Sequence, residues 1–284
     1  MARAPLHARE AAAQPARLLP LASRRARPPR RSDAAARARE PLPHGRVAAE
    51  RRVNAPGVVV IPAYNEEATL PALLAELRAA LPGAEIAVVD DGSRDRTGEL
   101  AARAGARVLR HPYNLGYGAA LQTGYKYALR RGAPWAVQMD ADGQHLPSQL
   151  AALVEPVAGG ACDVAIGSRF LEPTGYEMGA LRGAGRQAIR ALARLAGLDV
   201  TDPTSGLQAL GPRALALYAG DWFPSDYPDL DVRVTAARAG LVVREVPVRM
   251  AAGTRASTLH SGWKPLYYAY KMLLSLWAAA TTRR

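Results

Sequence analysis

The run Gly57-Val58-Val59-Val60-Ile61-Pro62-Ala63 is apolar, β-branched and continuous, and a proline stops it. Such a run reads as a buried strand. Tyr64-Asn65-Glu66-Glu67 follows, and then Leu70, Leu73, Leu74, Leu77 and Leu81 recur at helical spacing until Pro82-Gly83, which ends a helix. The pattern then repeats. Ile86-Ala87-Val88-Val89 runs into Asp90-Asp91-Gly92-Ser93, Thr97 to Ala104 reads as helix, and Ala106 to Leu109 as a third short strand. Leu115 to Arg131 reads as a glycine-started helix, Trp135 to Met139 as a fourth strand, and Val164-Ala165-Ile166-Gly167 as a fifth. Strands alternating with helices predict parallel pairing in a layered α/β sheet.

In such sheets ligands bind beyond the carboxyl ends of the strands. Three strands end in polar clusters, Tyr64-Asn65-Glu66, Asp90-Asp91-Gly92-Ser93 and Asp140-Ala141-Asp142, and all three fall on one rim. The last cluster carries the sharpest chemistry. On an extended backbone residues i and i+2 point to the same side, so Asp140 and Asp142 can present both carboxylates to one point. Gln144 continues the parity and His145 lies beside it. Hard oxygen ligands suit Mg²⁺ or Mn²⁺, which in turn suits a diphosphate. Gly143 permits the turn that follows. The same Asp-x-Asp also suits a loop with two solvated aspartates, and Ser93 or Asp95 also suits helix N-capping.

The first fifty residues differ from the rest. Met1 to Arg52 holds 13 of the 37 basic residues but 4 of the 25 acidic ones, so the high net charge is mostly a property of this tail. Rich in Ala, Arg and Pro and without apolar periodicity, residues 1–54 read as a disordered tail. Its arginine clusters could touch nucleic acid or anionic lipid, but the chain has three lysines, and a compositional bias or an overextended start explains the arginines better. No nucleic-acid partner is expected. Leu18-Leu19-Pro20-Leu21 is too short and broken for a signal peptide. The single cysteine, Cys162, excludes a disulfide framework and a cysteine-based zinc site and fits a reducing compartment. No run of 18 or more apolar residues marks a transmembrane helix.

Four motifs stand in order: Val60-Ile61-Pro62-Ala63-Tyr64-Asn65-Glu66-Glu67, Val89 to Thr97, Asn114-Leu115-Gly116-Tyr117-Gly118-Ala119-Ala120 and Asp140 to His145. In the third, the glycines before a helix would let backbone approach an anionic ligand. Together the four resemble the family 2 glycosyltransferases, most of all the dolichyl-phosphate-mannose-synthase type, from about Gly57 to about Trp277. The resemblance implies a GT-A fold over residues 55–260, a mostly parallel, Rossmann-like sheet flanked by helices. It implies a nucleotide-diphosphate sugar (GDP- or UDP-linked) bound by Pro62, Ala63, Tyr64, Glu66, Asp90, Asp91, Asn114, Gly116, Ala141 and Arg169. Tyr64 would wall off the base, Glu66 accept from ribose hydroxyls and Asp91 from a base N–H, while Asp90 supports the loop. Asp142 would coordinate Mg²⁺ or Mn²⁺ directly, with Asp140 and Gln144 helping, and Arg169 would sit near phosphate. Asp202 and Ser205 would shape the acceptor side. Asp229 stands where the family usually has glutamate, which weakens a role as base.

Further along, Arg182, Arg186, Arg190 and Arg194 recur every fourth residue of a helix read over Leu181 to Leu198, with Ile189, Leu192, Leu195 and Leu198 on its apolar side. A basic amphipathic helix suits a membrane surface or a lipid phosphate; a solvated face fits the same pattern. Leu241 to Met250 reads as a strand pair or one long strand, and Arg249, Arg255 and Ser257 follow as phosphate contacts by resemblance. Residues 261–284 carry Trp263, Leu266, Tyr267, Tyr270, Leu273, Leu274 and Trp277 as a stripe, which suits either the membrane interface or packing on the core. The resulting expectation is an inverting, metal-dependent glycosyltransferase that moves sugar to a polyprenyl phosphate, with Arg182 and Arg186 on the acceptor side. It would sit in the cytoplasm, peripherally on the cytoplasmic face of the membrane. The alternatives are a glycan hydroxyl acceptor with Asp229 or Asp231 as base, or a nucleotide-binding protein on the membrane without turnover.

Overall fold

The first strand, β1 (Val58–Ala63), lies inside a seven-stranded sheet of order β3-β2-β1-β4-β6-β5-β7. The computed structural model describes residues 56–171 and 180–251. The tail 1–54, Arg255, Ser257 and the C-terminal stripe therefore lie outside the described residues, as do the side chains of Arg182 and Arg186.

From β1 the chain steps outward through α1 (Leu70–Ala80), β2 (Glu85–Asp90), α2 (Thr97–Arg103) and β3 (Arg107–Arg110). It then crosses back through α3 (Tyr117–Arg130) to β4 (Ala136–Gln138), on the other side of β1. The strand order thus reverses between β1 and β4, and such a switch point opens a crevice at the strand ends. Pro62 fits here for a physical reason. β1 pairs with β4 only over Val58, Val59 and Val60, so the missing N–H of Pro62 falls where that ladder has run out.

The second half is a short 3₁₀ turn (Pro147–Gln149), α4 (Leu150–Ala158), β5 (Val164–Ser168), α5 (Ala180–Leu195), β6 (Gln208–Leu210), α6 (Pro212–Tyr218), α7 (Leu230–Arg238) and β7 (Val243–Pro247). The β1 pairings with β2 and β4, the β2–β3 pairing and the β5–β7 pairing are parallel. β6 runs antiparallel to both of its neighbours, β4 and β5. The sheet is thus mostly parallel, as expected, with β6 as its antiparallel strand.

The two faces of β1 bury separate cores. Val58 and Val60 pack with Leu121, Tyr125, Tyr218 and Leu230 on the α3, α6 and α7 side, and Val59 and Ile61 with Leu70, Leu74, Leu77 and Leu150 on the α1 and α4 side. Each fully buried aliphatic side chain of this kind contributes about 1.5–3 kcal/mol. This three-layer burial is why β1 carries no alternation.

Several boundaries differ from the sequence reading. β4 covers Ala136–Gln138 rather than Trp135 to Met139, and Met139 keeps one bond, its N–H donating to the Val60 carbonyl at 3.1 Å. α5 ends at Leu195. Leu195, read as apolar side, is 85% exposed, whereas Leu198, past the end of the helix, is buried in the core. Leu241 to Met250 yields one five-residue strand and an isolated antiparallel bridge from Met250 to His145.

Candidate active site

The first two rim loops are sewn together. Asn65 takes a left-handed φ of 56°, which asparagine tolerates better than most residues. Its N–H donates to Ser93 Oγ at 3.0 Å, and its Oδ1 accepts the Arg94 N–H at 2.9 Å. The Glu66 N–H donates to Thr97 Oγ1 at 2.8 Å and the Glu67 N–H to Asp95 Oδ2 at 3.2 Å. Ser93 is therefore spent across the loop. Asp95 accepts the Thr97 N–H at 2.9 Å in a turn just ahead of α2, but the N-cap position is Arg96 and no side chain caps it, so neither Ser93 nor Asp95 is the cap. Tyr64 is left 42% exposed at the crest.

Asp90 and Asp91 are both buried. Asp90 Oδ1 accepts the Ser93 N–H at 2.9 Å. Asp91 holds the loop before α3: Oδ1 accepts the Leu115 N–H at 2.8 Å and lies 2.7 Å from His111 Nδ1, and Oδ2 accepts the Gly116 N–H at 3.0 Å. His111 Nε2 meets Thr123 Oγ1 at 2.9 Å. Nothing in the sequence pattern marks His111. Its role appears once β3 delivers it under Asp91. Asn114, beside it, is exposed.

The glycines that start α3 meet protein backbone rather than open space. A Cβ on Gly118 would lie 2.1 Å from the Pro224 carbonyl oxygen. The Gly118 and Ala119 N–H groups donate to the Asp226 and Ser225 carbonyls at 3.2 and 2.9 Å. These helix-end amides are thereby satisfied within the protein. The same contact brings the 224–229 segment beside Tyr117, whose hydroxyl pKa is pushed well above the ordinary value by burial first, then by the charge of Asp140, with Asp229 adding to it. Asp229 stands at the start of α7, where its N–H donates to Asp231 Oδ1 at 3.1 Å.

At the end of β4, Asp140 Oδ1 accepts the Tyr117 hydroxyl at 2.7 Å, and Oδ2 lies 3.4 Å from His145 Nε2. Burial acts to raise the Asp140 pKa, but the hydrogen bond and electrostatic pull of His145, with the Tyr117 hydroxyl, outweigh it and hold it below the ordinary aspartate value. Asp142 goes the other way. Burial raises its pKa, and the Asp140 charge adds to this against the Gln144 N–H that donates to Oδ1 at 3.0 Å. Ala141 between them is buried. Gln144 also accepts the Ala251 N–H at 2.9 Å, and Arg249, exposed, donates its N–H to Gln149 Oε1 at 2.7 Å. The stretch after β7 thus runs along the Asp140–His145 loop.

The charge of Asp140 adds to the raised pKa of Asp142, and a divalent cation beside the two carboxylates would relieve it. Among the described residues no group of three or more His, Cys, Asp or Glu side chains is gathered to hold a metal. The donor set suits a Mg²⁺ or Mn²⁺ ion that takes its remaining ligands from a diphosphate and water.

Arg169 is engaged elsewhere than at the rim carboxylates. Its Nε and Nη2 donate to Asp202 Oδ2 and Oδ1 at 2.6 and 2.8 Å. Asp202 in turn donates its N–H to Glu245 Oε1 at 2.8 Å. Arg233, on α7 and 2% exposed, donates to the Pro203 and Ser205 carbonyls, so the 202–206 loop is held from two sides. Sequence reading misses Arg233, which looks like any surface arginine of a helix. On α5, Arg194 pairs with Asp199 at 2.8 Å, and Arg190 has its Nε buried without a hydrogen bond among the described residues. Among the described residues no helix is long and apolar enough to cross a membrane.

Comparison with known proteins finds relatives in sequence and in fold. The family described as Glycosyl transferase family 2 matches residues 58–184. An uncharacterized protein of Methanocaldococcus jannaschii is 36% identical over 219 residues, covering 74% of this chain and 88% of its own. An undecaprenyl-phosphate mannosyltransferase of Micrococcus luteus is 35% identical over 205 residues, covering 67% and 82%. A crystal structure of glucosyl-3-phosphoglycerate synthase from Mycobacterium tuberculosis, in complex with Mn²⁺, UDP-glucose and phosphoglyceric acid, superposes with a TM-score of 0.62 at 21% identity over 87% of each chain. The sheet is of the GT-A type, and the chain belongs to glycosyltransferase family 2.

Proposed function

We propose that the protein transfers a sugar, with inversion, from a nucleoside-diphosphate sugar to a polyprenyl phosphate, in a reaction that depends on Mg²⁺ or Mn²⁺. The observation that carries this reading is the Asp140–Asp142 pair at the β1–β4 switch point, its two carboxylates pushed to opposite pKa directions. The mannosyltransferase relative, named for an undecaprenyl-phosphate acceptor, supports the acceptor class.

Asp142 would hold the ion, with Asp140 and Gln144 completing the protein's share, and the bound ion would supply positive charge where the leaving diphosphate gathers negative charge. Tyr64 and Glu66 would receive the nucleoside at the sewn rim. Asp91 would fix the adjoining loop and, by its remaining acceptor capacity, take a base N–H. A single displacement from the face opposite the diphosphate inverts the anomeric centre. An acceptor phosphate is already an anion at neutral pH and requires no general base. The acceptor phosphate would meet Arg249, Arg182 and Arg186 and, outside the described residues, Arg255 and Ser257. Arg169 would act on phosphate only by leaving Asp202. The protein would work peripherally on the cytoplasmic face of the membrane.

A hydroxyl acceptor is the second reading, with Asp229 or Asp231 as base; the charge of Asp229 acts on the buried Tyr117 hydroxyl that meets Asp140. The test is turnover of GDP- and UDP-sugars with Mn²⁺ or Mg²⁺, with and without polyprenyl phosphate in detergent, for wild type and Asp142→Ala. Sugar on the lipid phosphate, abolished by Asp142→Ala or by EDTA, is the expected result. Donor hydrolysis without lipid transfer would overturn the acceptor assignment and turn the search to hydroxyls.

A further inference from the structure

Behind the Asp140 carboxylate lies a chain of polar side chains reaching into the sheet. Tyr117 donates to Asp140 Oδ1 at 2.7 Å. Gln138 Nε2 donates to the Tyr117 oxygen at 2.9 Å. Gln138 Oε1 accepts from Tyr125 and from Gln208 Nε2, and Gln208 Nε2 also reaches the Tyr125 oxygen at 3.3 Å. Tyr125, Gln138 and Gln208 are 0, 2 and 4% exposed, so solvent cannot replace a lost partner.

The sense of this chain follows from counting protons. An ionised oxygen 2.7 Å from a phenol requires the phenol's only proton. Tyr117 must then accept from Gln138, and that amide must turn its nitrogen toward Tyr117 and its oxygen inward. The inward oxygen takes the Tyr125 and Gln208 protons. Every link therefore donates toward Asp140, and hydrogen bonds aligned in one sense reinforce one another. On the opposite side, a Cβ at Gly206 would lie 2.5 Å from Asp140 Oδ2, so the loop backbone closes on the carboxylate. Asp140 is oriented from behind by side chains fixed in the core, whereas Asp142 is met through Oδ1 by the Gln144 backbone N–H.

Resting on the reading of these aspartates as a divalent-ion site, we propose that Tyr117 and Gln138 are positioning residues that lock the Asp140 carboxylate before the ion arrives. Asp140 is thus the preset ligand and Asp142 the adjustable one. Groups that orient a metal ligand from behind typically contribute 10–100-fold to metal affinity.

The test is Mn²⁺ binding, by calorimetry and by the electron paramagnetic resonance of free Mn²⁺, in the presence of GDP and separately of UDP. Wild type is compared with Tyr117→Phe, Gln138→Met, Asp140→Asn and the Tyr117→Phe/Asp140→Asn double variant, with folding checked by circular dichroism. Tyr117→Phe should weaken Mn²⁺ binding about 10–100-fold, and Gln138→Met in the same direction. Once Asp140 is Asn, adding Tyr117→Phe should cost nothing more, a non-additivity that general loosening of the fold would not produce. A folded Tyr117→Phe variant that binds Mn²⁺ within twofold of wild type, while Asp140→Asn loses binding, overturns the positioning role and leaves the ion site standing. If Asp140→Asn binds as wild type does, Asp140 is no ligand and the proposal falls while an ion on Asp142 stands; if wild type binds no Mn²⁺ with either nucleotide, the ion site itself falls and the proposal with it.

Discussion

Arg169 grips Asp202 by both arms of its guanidinium, Nε to Oδ2 at 2.6 Å and Nη2 to Oδ1 at 2.8 Å, and adds its own backbone N–H at 3.2 Å. Asp202 is fully buried and the Arg169 side chain 16% exposed, so the pair is largely withdrawn from water. Removing one partner of such a pair strands the other's charge. Asp202→Ala should therefore destabilise the protein by about 3–5 kcal/mol, measured by urea denaturation. Arg169→Lys keeps the charge but loses the fork and should cost less, about 1–2 kcal/mol. An Arg169→Lys variant as stable as the wild type would show that the fork geometry contributes nothing.

The rim and its carboxylates are legible in the sequence because strands buried on both faces must be apolar. The residue at which Val60-Ile61-Pro62-Ala63 or Ala87-Val88-Val89 gives way to polar side chains marks a strand end by itself. β6 is not legible in that way. Its three residues, Gln208, Ala209 and Leu210, show no periodicity and owe their strand state to partners far away in the chain, Ala136 to Gln138 and Val164 to Ile166. The same distance hides the Gln138–Gln208 contact and the burial of Arg233. The sequence around Gly116 and Gly118 suggests room for a ligand, but the room at Gly118 is filled by Pro224 and Ser225, a pairing that no local pattern announces.

Gly118 allows a separate check. A methyl group there would collide with backbone, at 2.1 Å from the Pro224 oxygen and 2.8 Å from the Ser225 carbonyl carbon, and backbone cannot swing away as a side chain can. Gly118→Ala should cost about 1–3 kcal/mol and weaken Mn²⁺ binding by shifting Tyr117. Gly132, with φ +65° and nothing within 4 Å of where a methyl group would stand, provides the contrast. Gly132→Ala should cost about 1 kcal/mol from backbone conformation alone and leave Mn²⁺ binding unchanged. Thermal melts and metal titrations on the two variants separate the effects.

Cys162 should be chemically quiet. Burial pushes its thiol from the ordinary value up to about 11, with the Arg244 charge working against this and Asp163 with it. Thiolate is the reactive form. A rise of this size leaves roughly a hundredfold less thiolate at neutral pH, and burial restricts access further. Labelling with a disulfide reagent near neutral pH should be at least about a hundredfold slower in the native protein than in urea. Native labelling at the unfolded rate would mean that the thiol is neither buried nor suppressed.

The two rim aspartates should respond oppositely to neutralisation. The Asp142 pKa is raised in the fold, chiefly by burial and then by the Asp140 charge. Its contribution to stability is thus fully present below the ordinary aspartate pKa and is lost as pH rises through the folded value. At neutral pH its charge opposes folding, and Asp142→Asn, which retains an oxygen for the Gln144 N–H, should raise the melting temperature of the metal-free protein. The gain should fade as the pH is lowered below the folded pKa. The Asp140 pKa is lowered, because His145 and Tyr117 outweigh burial. Its contribution is present above the ordinary pKa and is lost as pH falls through the folded value. Asp140→Asn should therefore lower the melting temperature at neutral pH, with the loss disappearing at acid pH. Adding Mn²⁺ with a nucleoside diphosphate should stabilise the wild type and leave Asp142→Asn unmoved, since a ligand stabilises in proportion to its binding. Melting curves between about pH 3 and about pH 8, a span set by the carboxylate range, carry the test. A metal-free Asp142→Asn protein that melts below wild type at neutral pH would refute the assignment of Asp142 as the strained partner of the pair.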